Sequence, residues 1–472
     1  MNDIKALKAL KNKILSLAMQ GTLLKQNEND EPASVLLEKI RQEKNRLKAN
    51  NVKNKGKKKE ITLPQINKDE LPYKLPNSWQ WVRLGEIGYT QTGTTPSISK
   101  EIYLGNYIPF VKPADIQNSK LIFHDYLSKE GLKYGRLIEK NSILMVCIGG
   151  SIGKCCYTNV DISCNQQINT FSYYFKPFKF YFYCLQSEYF QTQIKMKALG
   201  VATPIINKTL WENILVPLPP LAEQERIVVK IEEIFAIIDE IEKNIAENKK
   251  ISKILYNRLL SHAMQGKLLK QNENDEPAIV LLEKIRLEKN RLKENNVKNK
   301  GKKKETPLPP ISAEEVPYKL PNSWQWIRLG EVCEIIKREK SDNINLPLMD
   351  VKYLRTKENP KIYNSGIIVY KNELIILVDG ENSGEVFTVF EQGILGSTLN
   401  ILDISINVNT IYILFILSYF KDMFRNSKKG AAIPHLDKNL FKNLPIPLPP
   451  LAEQERIVAK IEEIKEIIDE IG

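Results

Sequence analysis

Apolar residues between Leu221 and Gln265 recur at alternating steps of four and three. Starting from Ile227, eight of ten such positions are Ile or Leu, and the stretch contains neither glycine nor proline. This spacing is the stripe of a coiled-coil helix, which must face a second helix. The pattern therefore predicts one long helix over 221–265 with a partner packed along it.

The partner is predicted within the same chain. Residues 451–471 copy the first half of this helix, and residues 8–26 resemble its second half. We therefore expect Met1 and Gly472 to meet, so that the two terminal helices complete a second long helix antiparallel to the first. The predicted seam consists of Leu10, Ile14, Ile227, Ile231, Ile234, Ile238, Ile241, Leu255, Leu259, Ile457, Ile461, Ile464 and Ile468.

A frame of near-identical segments surrounds two unlike inserts. Residues 18–60 and 263–305 differ at four of 43 positions, whereas residues 87–216 and 332–446 differ almost throughout. This contrast predicts that the frame performs one task twice, while the inserts address different targets. Duplication followed by drift is the alternative, but drift alone would not leave the frames so alike beside such divergent inserts.

Both inserts have the hydrophobic pattern of an α/β module. Each predicts, in order, a strand (108–112, 347–351), an apolar strand ending in glycines (142–150, 373–380), a polar strand start (164–167, 396–400), an aromatic-rich helix (178–199, 409–426) and a short helix (208–214, 438–444). The expected fold class is α+β, with two α/β domains separated by a long antiparallel two-helix coiled coil. The repeat is pseudo-two-fold and circularly permuted.

The same patterns predict the domain boundaries. The expected segments are an N-terminal helix (1–25), a helix with a Lys-rich linker (26–71), a first α/β domain (72–220), the central helix (221–265), a second helix and Lys-rich linker (266–316), a second α/β domain (317–450) and a C-terminal helix (451–472).

Composition adds a partner class and a compartment. The chain has 472 residues, 42% of them apolar, a formal net charge of +13 and a pI near 9.1. A basic excess of this size favours nucleic acid as a partner over a merely soluble basic protein. The six cysteines lack Cys-x-x-Cys spacing, which favours small core residues over zinc ligands in a reducing, cytoplasmic setting. The longest apolar run, 411–417, is too short to span a membrane.

Motifs for catalysis are missing from the sequence. The run 149–154 resembles a phosphate-binding loop, but its glycines are too closely spaced, and Cys155 stands where magnesium binding requires Ser or Thr. His124, His262 and His435 are scattered, so a catalytic or metal site among them is not expected. We therefore expect a protein that catalyses no reaction and binds no metal or cofactor itself.

Polar and basic residues in the inserts are candidates for DNA contacts. Asn and Gln can pair with adenine in the major groove, and Arg and Lys with guanine. A turn or surface role is the alternative for each residue taken singly. The first insert contributes Thr92, Thr94, Thr95, Lys112, Ser151, Lys154, Asn165, Gln166 and Gln167. The second contributes Lys337, Arg338, Lys340, Lys352, Arg355, Asn382, Ser383, Ser397, Thr398 and Asn400.

Other frame residues have two interpretations. The lysine tracts Lys53–Lys59 and Lys298–Lys304 are either phosphate contacts or solvated loops. The tryptophan pairs Trp79/Trp81 and Trp324/Trp326 are expected to anchor packing rather than stack on bases.

LPNSW-x-W-x-RLGE opens each insert and PLPPLAEQERI closes it, between the halves of a split helical repeat. In these motifs the chain resembles the specificity subunit of type I restriction–modification enzymes. The resemblance implies two target-recognition domains, each reading one half of a bipartite, asymmetric double-stranded DNA target, and a coiled coil that sets the spacer. It also implies two methyltransferase subunits that bring S-adenosylmethionine to modify adenine N6. Two restriction subunits using ATP and magnesium complete the implied complex.

A different class of protein remains as the alternative. A coiled-coil adaptor that presents two protein-binding modules would explain the rod and the duplication, although not the basic charge. Salt-sensitive binding of duplex DNA distinguishes the two classes, because phosphate contacts weaken as salt rises.

Overall fold

The computed structural model describes residues 2–52, 63–200, 202–299, 307–427 and 434–471. Two compact units divide the chain, unit 1 (Met1–Asn244) and unit 2 (Ile245–Gly472). The boundary falls inside the longest helix. The expected meeting of Met1 with Gly472 and the tract Lys53–Lys59 lie outside the described residues, as does most of the second lysine tract.

The helices of unit 1 are α1 (Asn2–Met19), α2 (Ala33–Val52), α3 (Leu84–Ile87), α4 (Lys100–Tyr103), α5 (Lys129–Tyr134), α6 (Lys179–Gln186), α7 (Glu188–Lys197), α8 (Lys208–Glu212) and the first half of α9 (Leu221–Met264). Its strands are β1 (Gln80–Arg83), β2 (Gly88–Thr92), β3 (Leu104–Val111), β4 (Ile116–Gln117), β5 (Lys120–Leu121), β6 (Tyr126–Leu127), β7 (Ile143–Val146), β8 (Cys155–Tyr157), β9 (Ser163–Cys164), β10 (Ile168–Tyr173) and β11 (Leu215–Leu218).

Unit 2 continues from α9 with helices α10 (Ala278–Asn299), α11 (Leu329–Val332), α12 (Val351–Thr356), α13 (Thr410–Tyr419), α14 (Lys421–Asn426), α15 (Lys438–Asn443) and α16 (Leu451–Ile471). Its strands are β12 (Gln325–Arg328), β13 (Cys333–Ile336), β14 (Ser341–Met349), β15 (Ile362–Gly366), β16 (Ile368–Val369), β17 (Leu374–Leu377), β18 (Val386–Thr388), β19 (Gly393–Leu395), β20 (Leu399–Ile404) and β21 (Pro445–Leu448). Short 3₁₀ helices lie at Lys68–Glu70, Pro113–Asp115 and Ala313–Glu315.

The two units share their central four-stranded sheet and the parallel strand pair beside it, while the outer strands differ. A four-stranded antiparallel sheet has the order β2-β10-β7-β8 in unit 1 and β13-β20-β17-β18 in unit 2. Beside it, β3 pairs in parallel with β9, and β14 pairs in parallel with β19. All four residues of β7 and of β17 are buried, which accounts for their continuous apolar sequence. Two unlike sequences therefore build one architecture.

The repeated Trp and Pro motifs close each insert. Trp81 lies opposite Pro217 in the antiparallel pair β1–β11, and Trp326 lies opposite Pro447 in β12–β21. This pairing brings the start and the end of an insert together directly before α9 in unit 1 and directly before α16 in unit 2. The frame therefore fixes both ends of each insert in the same way.

Each unit also has a buried joint where three separate segments of the frame meet. In joint 1 (Gln26, Asp30, Trp79, Glu223 and Arg226), the Trp79 indole N–H donates to Glu223 at 2.8 Å and the Gln26 amide donates to the same carboxylate at 2.6 Å. Arg226 donates to Asp30 at 3.2 Å. Burial raises the pKa of Glu223, and the bonds from Trp79 and Gln26 oppose that shift.

Joint 2 (Gln271, Asp275, Trp324, Glu453 and Arg456) repeats these contacts. Trp324 donates to Glu453 at 2.8 Å, Gln271 donates to it at 2.6 Å and Arg456 donates to Asp275 at 3.2 Å. The near-identity of the frame sequences therefore extends to the hydrogen bonds of the folded chain.

A terminal helix packs antiparallel to half of α9 within each unit. In unit 1, Lys11 of α1 bonds Asp239 at 2.7 Å, while Gln26, after α1, reaches back to Glu223. In unit 2, Ser252 donates to the carbonyl of Ile468 in α16 at 3.4 Å.

Most side chains of the predicted seam are buried or half-buried. The buried members are Ile227, Ile231, Ile238, Leu259, Ile457, Ile461 and Ile468, and the half-buried ones are Ile14, Ile234 and Ile464. Leu10, Ile241 and Leu255 are exposed. Ten of the thirteen predicted seam positions are therefore buried or half-buried, and three are exposed.

Three expected elements differ in detail from the structure, and one is the helix expected over 409–426, which is divided at Phe420 into α13 and α14. The helix expected over 178–199 is broken at Ser187, whose extended backbone ends α6 and whose hydroxyl accepts from the N–H of Phe190 to begin α7. The polar strand start at 164–167 is a turn between β9 and β10, because Asn165 Oδ1 accepts from the N–H of Gln167. Within the described residues, no helix has the length and apolar character needed to cross a bilayer.

Candidate nucleic-acid interface

The connection between β7 and β8 is a tight loop with an open face, here called glycine turn 1 (residues 149–154). The N–H of Gly149 donates to the carbonyl of Pro204 at 2.9 Å, and the N–H of Gly153 donates to that of Val146 at 2.9 Å. Both glycines have positive φ, which other residues adopt only with strain. A Cβ on Gly150 would meet no atom within 4 Å, so a ligand can approach this backbone closely.

Beside glycine turn 1, polar side chains from two chain segments meet in a cluster. The hydroxyl of Thr95 donates to Gln166 at 2.7 Å, and that of Thr92 donates to Asn169 at 2.8 Å. Asn165 Nδ2 donates to Gln167 at 2.9 Å. The structure therefore brings together six of the nine residues that were predicted as DNA contacts in the first insert: Thr92, Thr94, Thr95, Asn165, Gln166 and Gln167.

Close approach of the backbone holds these two segments together. The N–H of Thr94 donates to the carbonyl of Cys164 at 2.8 Å. A Cβ on Gly93 would lie 2.1 Å from the carbonyl oxygen of Asn165, so only glycine fits there. The amides and hydroxyls of the cluster are thus set on a rigid backbone rather than on a free loop.

The three remaining predicted residues of unit 1 have different surroundings. Ser151 and Lys154 lie on glycine turn 1, where Lys154 is exposed and has no ion pair among the described residues. Lys112 follows β3 and forms a salt bridge with Asp125, whose hydrogen bond raises the pKa of Lys112. Its charge is therefore already matched by a carboxylate.

Unit 2 repeats the loop between β17 and β18 as glycine turn 2 (residues 380–385). The N–H of Gly380 donates to the carbonyl of Pro434 at 2.8 Å, and the N–H of Gly384 donates to that of Leu377 at 2.7 Å. Both have positive φ, and a Cβ on Gly380 would meet nothing within 4 Å. Asn382 and Ser383 occupy this turn, while Ser397 and Thr398 are exposed in the turn before β20.

The basic residues predicted in unit 2 divide into paired and unpaired groups. Arg338 donates to both oxygens of Glu373, at 3.0 and 2.6 Å, which raises the pKa of Arg338. Arg355 of α12 forms a salt bridge with Glu385 of glycine turn 2. Lys337, Lys340 and Lys352 are exposed, and no ion pair to them occurs among the described residues.

Buried side chains correct three of the predicted DNA contacts. Asn165, Ser383 and Asn400 are only 8%, 1% and 2% exposed, respectively. A base edge cannot reach side chains so enclosed, so in this conformation these residues support the surface rather than touch DNA. Asn400 has the same position in β20 as Asn169 has in β10, opposite β17 and β7 respectively.

The sequence did not indicate two features of these surfaces. Arg136 lies beside the polar cluster, with Nη1 donating to the carbonyl of Thr92 at 2.5 Å. His435 Nδ1 lies 2.7 Å from Asp379, directly before glycine turn 2, and the two residues form a backbone bridge. Neither belongs to a motif, and only the pairing of distant segments brings them to the surface.

The cysteines lie in the interior. All six thiols are buried and unpaired, and burial raises the pKa of Cys147 and Cys164 to about 12. Among the described residues no group of three His, Cys, Asp or Glu side chains is placed to hold a metal ion.

Known proteins share both the sequence pattern and the architecture. The family described as "Type I restriction modification DNA specificity domain" matches residues 76–253 and 321–471. The EcoAI specificity subunit from Escherichia coli is 26% identical over 544 aligned positions, which cover 98% of this chain and 89% of that protein. The EcoEI specificity subunit from Escherichia coli is 27% identical, and the alignment covers 99% of this chain and 91% of that protein.

A solved structure described as "Structural basis underlying complex assembly and conformational transition of the type I R-M system" has a similar fold. Its TM-score is 0.61 at 21% identity, with 85% of this chain and 93% of that chain covered. Because the family match spans more than half of the sequence, the chain belongs to the type I restriction–modification DNA specificity family and is a DNA sequence-specificity subunit of such a system.

Proposed function

We propose that glycine turns 1 and 2, with the polar residues beside them, form the surfaces by which each unit reads one half of a bipartite duplex target. The observation that carries this proposal is that one backbone, hydrogen-bonded in the same way in both units, presents unlike side chains. A common backbone docks on a common ligand, and differing side chains select different base edges.

The chemistry of the two surfaces supports an asymmetric target. Unit 1 presents amides and hydroxyls, with Gln166 and Gln167 suited to adenine and Lys154 to a phosphate or a guanine. Unit 2 presents Lys337 and Lys340 without ion pairs among the described residues, which suits guanine and phosphate. Two such different surfaces would not read the same half-site, so the full site is non-palindromic.

An exchange of one insert tests this proposal. Replacing residues 87–216 by the insert of another family member should change one half-site and leave the other intact. The matched exchange of residues 332–446 should change only the other half-site. Sequencing host DNA for N6-methyladenine in cells with each version reads both halves at once, and one exchange altering both halves would contradict the proposal.

The duplicated frame supports a proposal about the assembly partners. As a specificity subunit, the chain supplies recognition rather than catalysis. We propose that joints 1 and 2 mark equivalent docking sites for two copies of one methyltransferase subunit, which brings S-adenosylmethionine. Two restriction subunits using ATP and magnesium would complete the complex. Native mass spectrometry of the purified assembly should then give two methyltransferase subunits per chain, and a single copy would contradict equivalent docking.

Helix α9 is proposed to set the spacer between the half-sites, since it passes from one unit into the other without a break. Inserting one heptad beside Asn244 adds about 10 Å of helix and should lengthen the spacer by about 3 base pairs. Inserting the same seven residues after Lys57, in the Lys-rich sequence between α2 and β1, is the control and should leave the spacer unchanged. An unaltered spacer in the Asn244 variant would exclude this role.

The adaptor alternative is not favoured, because the family match covers both inserts and the first three quarters of α9. Titration of the purified chain and its partners with duplex DNA at rising salt provides a direct check. A DNA-specificity subunit should lose affinity steeply as salt rises, whereas an adaptor of protein modules should show no duplex binding to lose.

A further inference from the structure

We infer that Arg136 is a base-reading residue of unit 1 and takes the edge of a guanine in the major groove. This inference rests on the proposed reading surface of unit 1 and adds a residue that no motif indicated. It follows from the position, the hydrogen bonding and the charge of the Arg136 side chain.

Arg136 is fixed next to the polar cluster by contacts on both sides. Its Nη1 donates to the carbonyl of Thr92, the last residue of β2, at 2.5 Å. The next residue, Leu137, accepts from Gln91 of the same strand at 2.9 Å. A Cβ on Gly135 would lie 3.1 Å from Ser163 Oγ, so the backbone before Arg136 abuts β9, which runs into Asn165.

The guanidinium of Arg136 is held in place without being neutralised. Its partner is a main-chain carbonyl, and no carboxylate forms an ion pair with it within the described part of the chain. Arg338 and Arg355, by contrast, are bonded to Glu373 and Glu385. One N–H of Arg136 is used to fix the side chain, and the exposed remainder of the fork faces solvent.

In unit 2 the basic residue at this position lies on the strand segment that corresponds to Thr92, not on the one that corresponds to Arg136. Thr92 pairs with Asn169, and in unit 2 the residue beyond the Ile336–Ile401 pair is Lys337. Arg136 lies two residues before Ile138, which bridges to Ile162. In unit 2, Val369 pairs with Gly393 in the same way, so the counterpart of Arg136 is Ile367, two residues before Val369. Each unit thus presents one cation here, from Arg136 in unit 1 and from Lys337 in unit 2.

This geometry suits a base edge better than a phosphate. A guanidinium presents two parallel N–H groups, which match O6 and N7 of guanine, and fixing it in advance reduces the entropy lost on contact. The exposed side chains of Tyr134 and Leu137 flank it and can exclude water from such a contact. The neighbouring amides of Gln166 and Gln167 would read adjacent bases.

Selection from a randomised duplex library tests the inference, with the full chain purified together with the subunits that it assembles with. Arg136→Ala and Arg136→Lys should both lose the preference for guanine at one position of the first half-site, by about tenfold. The second half-site should stay intact. Lys140→Ala, which removes a charge from an exposed neighbour on the same segment, should keep every base preference.

A phosphate contact would give a different result and overturn the inference. Arg136→Lys would then bind like the parent chain, while Arg136→Ala would weaken all sequences equally and lower the salt slope by about one. A first half-site without guanine would overturn it too. Failure of the insert exchange would instead remove the proposed function, so the two failures are separable.

Discussion

Glycine turns 1 and 2 have the same backbone hydrogen bonds but differ in charge. Lys154 is exposed at the end of the first turn, and the same position in the second turn is Glu385, bonded to Arg355 and 3.5 Å from Lys421. Before the turns, Ile148 bridges to Ile205 in unit 1, whereas Asp379 bridges to His435 in unit 2. The comparison shows that positive-φ glycines and strand pairing maintain the loop, so its side chains are free to change.

In joints 1 and 2, unlike in the glycine turns, both the backbone and the side chains are repeated. Of the changes considered, removing a joint tryptophan should have the largest effect, a loss of stability. Trp79→Ala and Trp324→Ala should each cost about 3–5 kcal/mol of unfolding free energy, since each ring is almost fully buried. Chemical denaturation measures the loss, and Trp→Phe at either position should cost less. A large difference between the two alanine variants would show that the joints are not equivalent.

The second largest effect is expected on DNA affinity, when the charges at the ends of glycine turns 1 and 2 are exchanged. Lys154→Glu places a carboxylate against the phosphate backbone and should weaken duplex binding by about tenfold at low salt. Glu385→Lys leaves Arg355 and Lys421 without their carboxylate and should tighten non-specific binding. Fluorescence anisotropy against salt concentration follows both, with Lys68→Glu in the frame as the charge-reversed control. Equal affinities for all variants would argue against the turns as DNA-facing surfaces.

A smaller difference is expected between the buried asparagines of the central strands. Asn169 accepts from the hydroxyl of Thr92, whereas Asn400 Oδ1 has no hydrogen-bond partner among the described residues. Asn169→Leu should cost about 1 kcal/mol, and Asn400→Leu should be near neutral or stabilising. The double variant should show additive effects, because the sites lie in different units. A costlier Asn400→Leu would point to a partner for its carbonyl.

The smallest effect concerns pH. Two oxygens of Glu315 accept from Arg328, and this hydrogen bonding lowers the pKa of Glu315 to about 2. A carboxyl with a depressed pKa stabilises the fold above its ordinary pKa of 4.5 and loses that contribution as pH falls toward about 2. Glu315→Gln should therefore flatten the dependence of stability on pH in that window. The matched variant Glu70→Gln should flatten it too, since Arg83 lowers the pKa of Glu70.

The fold class was predictable because its signals are local and periodic. The heptad from Ile227 gave α9 almost to the residue, and the apolar runs before Gly149 and Gly380 gave the central strands. The break at Ser187 was missed because a single capping residue interrupts an otherwise continuous aromatic pattern. The pairing of Trp81 with Pro217 was also missed, since proline is rare in paired strands.

The candidate interface was predictable in composition but only partly in geometry. Composition selected Asn165, Gln166 and Gln167 as candidate contacts, yet it could not show that they lie beside Thr92 and Thr95 or that Asn165 is buried. Salt bridges formed by Arg338 and Arg355 depend on carboxylates about 30 residues away in sequence. Arg136 has no recognisable motif because its contact with Thr92 depends on tertiary pairing alone.

The position of the unit boundary inside α9 has a consequence for synthesis of the chain. All members of joint 1 precede Asn244, so a ribosome completes unit 1 when about half of the protein has been made. Joint 2 needs Glu453 and Arg456, which lie in the last helix. A chain that ends before α16 would leave Trp324 without its acceptor and Asp275 without its donor. Unit 1 of the same chain would still have every contact of joint 1.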